Sequence, residues 1–203
     1  MVDGDADVLV VDDSEGYRDL YSLWLTPDHE VRTAADGQTA LDLLDGSIDI
    51  VLLDREMPGP DGVEVARSIE ASAHDPFVVM VSSLPPDFDL IERPVDDYVR
   101  KPVEEADITA VVETYRAQQA YLRAVDDLFG LARRKAAIEA HKSGAELADS
   151  EAYARFEERL VAKRREVHEA MAAVRSDWER TFRACTKDLG AATTPPDPPN
   201  GLG

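Results

Sequence analysis

Cysteine is almost missing from this chain: Cys185 stands alone among 203 residues, which excludes an intramolecular disulfide and suits a reducing cytoplasm. No apolar run approaches the ~18 residues that a membrane span needs. The opening MVDGDAD is acidic, where a secretory signal would be basic and then apolar. These absences exclude a disulfide-stapled module and a membrane-spanning protein, and lead us to expect a soluble cytoplasmic one. Basic charge is the other shortage. Against 42 acidic side chains stand 22 basic ones, five of them lysine, for a formal charge of −20. The deficit is uneven: residues 1–102 carry 24 acidic and 7 basic groups, whereas 103–203 carry 18 and 15. Many surface acids with few lysines fit a protein adapted to high salt, where screening relieves self-repulsion. Such a surface also argues against unaided nucleic-acid binding through the first half.

What is present divides the chain in two. In the first half, short β-branched runs recur every twenty or so residues: VLVV (8–11), HEVRTA (29–34), DIVLL (49–53), FVVMVS (77–82) and DDYVRK (96–101). Helical stretches lie between them. Residues 14–25 place Tyr17, Leu20, Tyr21 and Trp24 on one face, 36–45 carry Ala40, Leu41 and Leu44, and 61–73 carry Val65, Ala66 and Ile69. A fourth, PPDFDLIERP, is bracketed by prolines and reads as short. Strands apolar on both faces and alternating with helices imply a parallel sheet covered on both sides, with its functional crevice beyond the strands' carboxyl ends.

The chemistry gathers at that edge. The stretch VLVVDDS ends a core strand on two adjacent carboxylates, Asp12 and Asp13, and DIVLLDREMPGPDG ends another on Asp54. Three carboxylates brought together repel unless a hard cation sits among them, and Mg²⁺ takes such oxygen ligands with waters and a phosphate. Ser82 closes the fourth run with a hydroxyl. Lys101 closes the fifth with a cationic arm able to neutralise an anion on Asp54, and Tyr98 comes shortly before it. Any one of these residues alone reads as a helix cap, a turn residue or a core aromatic; together they form a specific set.

The set resembles the receiver domain of two-component response regulators over roughly residues 6–119, through VVDDS, LLDREMPGPDG, VSS and DDYVRKP. The resemblance implies a flavodoxin-like, doubly wound, five-stranded parallel sheet. It implies that Asp54 accepts a phosphoryl group from a histidine kinase. Asp13 would then bind Mg²⁺ directly and Asp12 largely through water, with Asp54 and the backbone carbonyl of Glu56 as further ligands. Ser82 and Lys101 would hold the phosphoryl oxygens, Tyr98 would swing as the switch aromatic, and the bond before Pro102 would be cis. Beyond its own phosphorylation and dephosphorylation no enzymatic turnover is implied. Haloacid-dehalogenase-like phosphatases also use an aspartyl nucleophile, but they place a second Asp two residues later, where this chain has Glu56.

The second half shows no strand pattern. From Val103 the spacing runs through Ile108, Val111 and Tyr115, then Leu122, Val125, Phe129, Ala132 and Ala136, with Gln118 the polar intruder. HKSGAEL (141–147) breaks it, and a second run follows from Tyr153 through Phe156, Leu160, Val167, Met171, Val174, Trp178, Phe182 and Cys185 to Leu189. Two long amphipathic helices make an all-α, coiled-coil-like hairpin. We therefore expect a receiver over 1–119, a helical output domain over 120–190 and a disordered Pro/Gly-rich tail over 191–203. The helices are too long for a helix-turn-helix, and the basic clusters ARRKA and AKRREV are ringed by acids. His168, followed by Glu169, lacks any second feature of a phosphotransfer site. Residues 121–127 and SGAELADSEAYARFEERL are similar to the HalX-type regulators of haloarchaea. That similarity implies transcriptional regulation, leaving DNA, the transcription machinery or another protein as the target, and self-pairing open.

Overall fold

The computed structural model describes residues 6–84 and 94–186, with 176–186 as backbone alone. The chain divides into two compact units, 1–115 and 116–203. The five β-branched runs all form strands: β1 (Asp7–Val11), β2 (Glu30–Ala34), β3 (Ile50–Asp54), β4 (Phe77–Ser82) and β5 (Asp97–Arg100). They pair in the order β2-β1-β3-β4-β5, every neighbour parallel.

Period-two alternation divides the buried side chains between two layers. Leu9, Val11, Val51, Leu53, Val78 and Met80 face helices α2 (Gly37–Leu43) and α3 (Gly62–Glu70). Val8, Val10, Ile50, Leu52, Val79 and Val81 face α1 (Glu15–Leu25) and the first turns of α4 (Glu105–Glu139). Each fully buried aliphatic side chain contributes about 1.5–3 kcal/mol by leaving water. That burial explains why the central strands need apolar residues at consecutive positions. Tyr115 anchors α4 from below, its hydroxyl donating to Asp49 Oδ1 at 2.7 Å.

Caps set where two of the helices begin. Asp36 accepts from the Thr39 amide, and Asp61 forms a reciprocal capping box with Glu64. Ser14 precedes α1 but makes no side-chain cap; its amide instead donates to Asp12 Oδ1 at 2.9 Å. The PPDFDLIERP helix lies mostly outside the described residues, as do the side chains of Trp178, Phe182 and Cys185, and Leu189 and the 191–203 tail entirely.

The second unit is built from the rest of α4, a short α5 (Gly144–Ala148) and α6 (Glu151–Thr186). Where the sequence shows only a break, Ser143 and Glu146 form a capping box that starts α5. Three links join α4 to α6 in antiparallel register: Tyr153 to Glu139, Lys135 to Glu157, and Lys163 to Asp127. The hairpin is therefore as expected, but its seam is not. Buried or half-buried are Tyr121, Ala124, Leu128 and Leu131, and of the expected stripe Val125, while Leu122 and Phe129 stand 56% and 55% exposed. The inward stripe of α4 beyond Tyr115 is offset from the expected one: it runs through Tyr121, Ala124, Leu128 and Leu131 to the half-buried Lys135, which pairs with Glu157.

Candidate functional site

The carboxyl edge of the sheet brings four of the sequence-derived residues together. Asp12 directly follows β1, Asp54 is the last residue of β3, and Lys101 directly follows β5. Parallel pairing with nearly level strand ends places them side by side. Lys101 Nζ donates to Asp12 Oδ2 at 2.7 Å and to Asp54 Oδ1 at 3.0 Å, and all three side chains are buried. Asp13 is exposed, yet it offers a carboxylate oxygen that lies within 4.8 Å of oxygens from both other acids.

One ammonium cannot balance three carboxylates. Burial raises the pKa of Asp54, the Lys101 hydrogen bond opposes that rise, and the charges of Asp12 and Asp13 reinforce it. At Lys101 burial works against the charge, but the hydrogen bonds to Asp12 and Asp54 prevail and its pKa rises. The excess negative charge, in a cleft of oxygen donors open on the Asp13 side, fits a hard divalent cation. Asp12, Asp13 and Asp54 would hold it. Glu56, also expected to contribute, sits in the loop after β3 with its side chain in solvent.

A raised Asp54 pKa has a consequence for stability. The folded state binds this proton more tightly than the unfolded chain does, so the contribution is full below the ordinary carboxylate range. It is lost as pH rises through the raised value. In the presence of a chelator, Asp54→Asn should therefore melt higher than the wild type at pH 7, and the gap should close toward pH 4. Each tenfold change in proton affinity is worth about 1.4 kcal/mol, enough for a shift of several degrees. Equal melting temperatures at pH 7 would show that Lys101 fully compensates the charge.

The surrounding backbone is fitted closely to Asp54. A Cβ on Gly62 would come within 2.3 Å of the Asp54 carbonyl oxygen, so only glycine lets α3 begin there. Gly59, in the intervening Pro58-Gly59-Pro60 turn, has a φ of 82°, which glycine adopts without strain. Ser82 is fully buried, and its hydroxyl accepts from the Leu84 amide at 3.2 Å. Tyr98 is half-buried, its hydroxyl donating to the Leu84 carbonyl. Ser82 and Tyr98 thus meet at Leu84, beside the acidic cluster. The Lys101–Pro102 peptide is cis.

Three site residues escaped the sequence reading, all on α1. The ring of Tyr17 covers Lys101 Nζ at 4.1 Å from its centroid, facing an ammonium that already donates to two carboxylates. Tyr21 stacks on Tyr17 at 5.8 Å; its buried hydroxyl has no partner among the described residues, and its pKa is raised by burial and then by Asp12. Arg18 donates to the backbone carbonyls of Asp12 and Asp13 at 2.7 and 3.1 Å and so braces the acidic pair. Tyrosines on the apolar face of a helix read as core, and nothing in the sequence separates these from Trp24. His168 is exposed on α6.

Comparison with known proteins agrees with this geometry. The family described as "Response regulator receiver domain" matches residues 8–113, and the "HalX domain" matches 117–185. A "Putative transcriptional regulator" of Haloferax volcanii is 38% identical over 164 residues, covering 80% of this chain and 28% of its own length. The "Uncharacterized transcriptional regulatory protein YrkP" of Bacillus subtilis is 38% identical over 108 residues, covering 52% of this chain and 47% of its own length. The chain thus spans under half the length of either relative. Among solved structures, the BeF3-activated DrrB receiver domain is 26% identical with a TM-score of 0.51, covering 55% of this chain and 97% of that one.

Proposed function

The chain belongs to the response regulator receiver family and carries a HalX domain after the receiver, and on that premise we propose that Asp54 takes a phosphoryl group from a histidine kinase. The observation that carries this is the buried Lys101 bridging Asp12 and Asp54, with Asp13 at the open side. A carboxylate oxygen of Asp54 attacks the phosphorus of a phosphohistidine donor. The nitrogen–phosphorus bond breaks as the oxygen–phosphorus bond forms, and the donor's imidazole leaves. The Lys101 ammonium is already placed to neutralise the oxygens that gain charge, so little reorganisation is needed. Asp12, Asp13 and Asp54 would hold a divalent cation, Mg²⁺ in our reading, which would further neutralise phosphoryl and carboxylate oxygens. Arg18 keeps the acidic pair in position, and the Tyr17 ring shields the ammonium from water. No separate substrate is turned over. Transfer of hydroxylamine-labile phosphate from an autophosphorylated kinase or from acetyl phosphate tests the assignment, and no incorporation with Mg²⁺ present would overturn it.

Ser82 and Tyr98 read the modification. Both now bond to Leu84, and a phosphoryl group on Asp54 competes for the Ser82 hydroxyl. Ser82→Ala is expected to label within a few fold of wild type but to lose most of the response in the helical half. Labelling lost as fully as in Asp54→Asn would make Ser82 part of the chemistry itself.

For the output we propose regulation of transcription in a salt-adapted cytoplasm, in line with the name of the Haloferax relative, a transcriptional regulator. One observation favours a second reading, a phosphorylation-dependent adaptor that binds protein and not DNA. The lysines of both basic clusters are already committed, Lys135 to Glu157 and Glu139, Lys163 to Asp127 and Glu166. Phosphate contacts release counterions, so DNA binding by the labelled chain should weaken steeply along a salt series. Absence of binding at every salt concentration favours the adaptor.

A further inference from the structure

Helix α4 carries a second apolar stripe that the hairpin does not use. Leu122, Val125, Phe129, Ala132 and Ala136 repeat at three- and four-residue spacing, the signature of a helix seam. Leu122 and Phe129, its two largest members, lie mostly in solvent, and Val125 between them is half-buried. Large apolar side chains at heptad spacing on an exposed helix face mark an interaction surface.

The charges beside this stripe identify the occupant. Asp126 and Arg133 are exposed, and neither makes an ion pair with a described residue. They lie at equal distances on either side of the step from Phe129 to Gly130. A second α4 laid antiparallel about that step sets Asp126 against the second copy's Arg133, and Arg133 against its Asp126. The same operation puts Leu122 over the small Ala136 and Ala137 of the other copy and brings the two Phe129 side chains together at the centre. Gly130 lies between the two charges on the helix surface. A Cβ there would meet nothing nearer than the end of the Arg134 side chain at 3.5 Å, so the hairpin itself has no need of glycine at a position where it costs about 1 kcal/mol. An approaching helix does. A patch that complements itself under a two-fold rotation is what an isologous dimer requires.

We propose that two copies of this chain pair through the Phe129 face of α4, antiparallel, to form a four-helix bundle from their two hairpins. The occupant is a second copy rather than a different protein, because the charge pattern satisfies itself.

The test uses the full chain and its mass in solution, measured by light scattering at the lowest salt at which it stays folded. The wild type should give twice the 22.3 kDa of one chain. Phe129→Glu should give the monomer mass with unchanged circular dichroism and unchanged Asp54 labelling, since this side chain is exposed. Asp126→Arg sets like charges against each other twice and should weaken pairing by at least tenfold. Adding Arg133→Asp to that variant should restore it. In a parallel pair residue 126 flanks Tyr121 and Leu128 of the other copy, neither of them charged, so the single change would cost little and the double change would restore nothing. A monomeric wild type, a dimer indifferent to Phe129→Glu, or no recovery in the double variant overturns the proposal. So does a Phe129→Glu chain that loses its downstream response while the wild type is monomeric, which would assign the face to another protein.

Discussion

Asp54→Asn is expected to abolish covalent phosphorylation by acetyl phosphate in the presence of Mg²⁺, leaving no hydroxylamine-labile label. The carboxylate that attacks phosphorus is then gone, while the amide keeps the volume and the buried setting of the residue. The neighbouring positions should grade the effect. Lys101→Ala removes the ammonium that lies 3.0 Å from Asp54, and it should slow labelling by about 10²–10³, the usual loss for one preorganised charge-stabilising donor. Asp13→Ala leaves nucleophile and lysine in place but removes the exposed carboxylate of the cluster, so labelling and Mg²⁺ binding should fall together. Titrating Mg²⁺ separates these cases: excess metal should recover part of the Asp13→Ala rate and none of the Asp54→Asn rate. Hydroxylamine-labile phosphate persisting in Asp54→Asn would place the acceptor elsewhere.

Much of this site is legible in the sequence for a physical reason. A carboxylate directly after four consecutive apolar residues, as in VLVV before Asp12 and IVLL before Asp54, has few explanations. Asp12 and Asp54 each take their position from a strand whose register the buried pattern fixes, while Lys101 follows the half-buried β5 and was legible through its place in DDYVRKP. The helices between strands were legible where polar caps stand at their starts, as at Asp36 and Asp61. Tyr17, Tyr21 and Arg18 were not, because their roles depend on where α1 lies over the sheet edge, which no local pattern states. The hairpin seam was misread for a different reason. Leu122 and Phe129 are larger and more apolar than Ala124, and Lys135 and Lys163 interrupt the stripes that turn inward. Hydrophobic size pointed to one face of α4, while the face turned inward is lined by Tyr121, Ala124, Leu128 and Leu131 and edged by cross-helix ion pairs. Two overlapping apolar stripes on one helix give two valid periodicities, and spacing alone does not rank them.

The largest effect outside the acidic cluster is expected from Ala120→Pro. Helix α4 runs unbroken over Glu105–Glu139. Its early residues Ile108, Val111 and Val112 belong to the core beneath the sheet, while its later residues Asp127 and Lys135 bond to α6. One helix therefore contributes residues to both units, and we propose that a shift of its first turns passes along it to the helical half. Proline at 120 removes the amide that would bond to the carbonyl of residue 116, and its ring crowds that carbonyl, a cost of about 3 kcal/mol in a helix interior. Labelling on Asp54 should stay within about twofold of wild type, because 120 lies outside the receiver unit. What should disappear is the response of the helical half. In the wild type, phosphorylation or BeF3 should change hydrogen exchange across 121–139, and in Ala120→Pro that change should fall to background. Two results would sink the relay: an undiminished exchange response in the proline variant, or rapid proteolytic cutting of the wild type between residues 116 and 124, which would make that stretch a hinge.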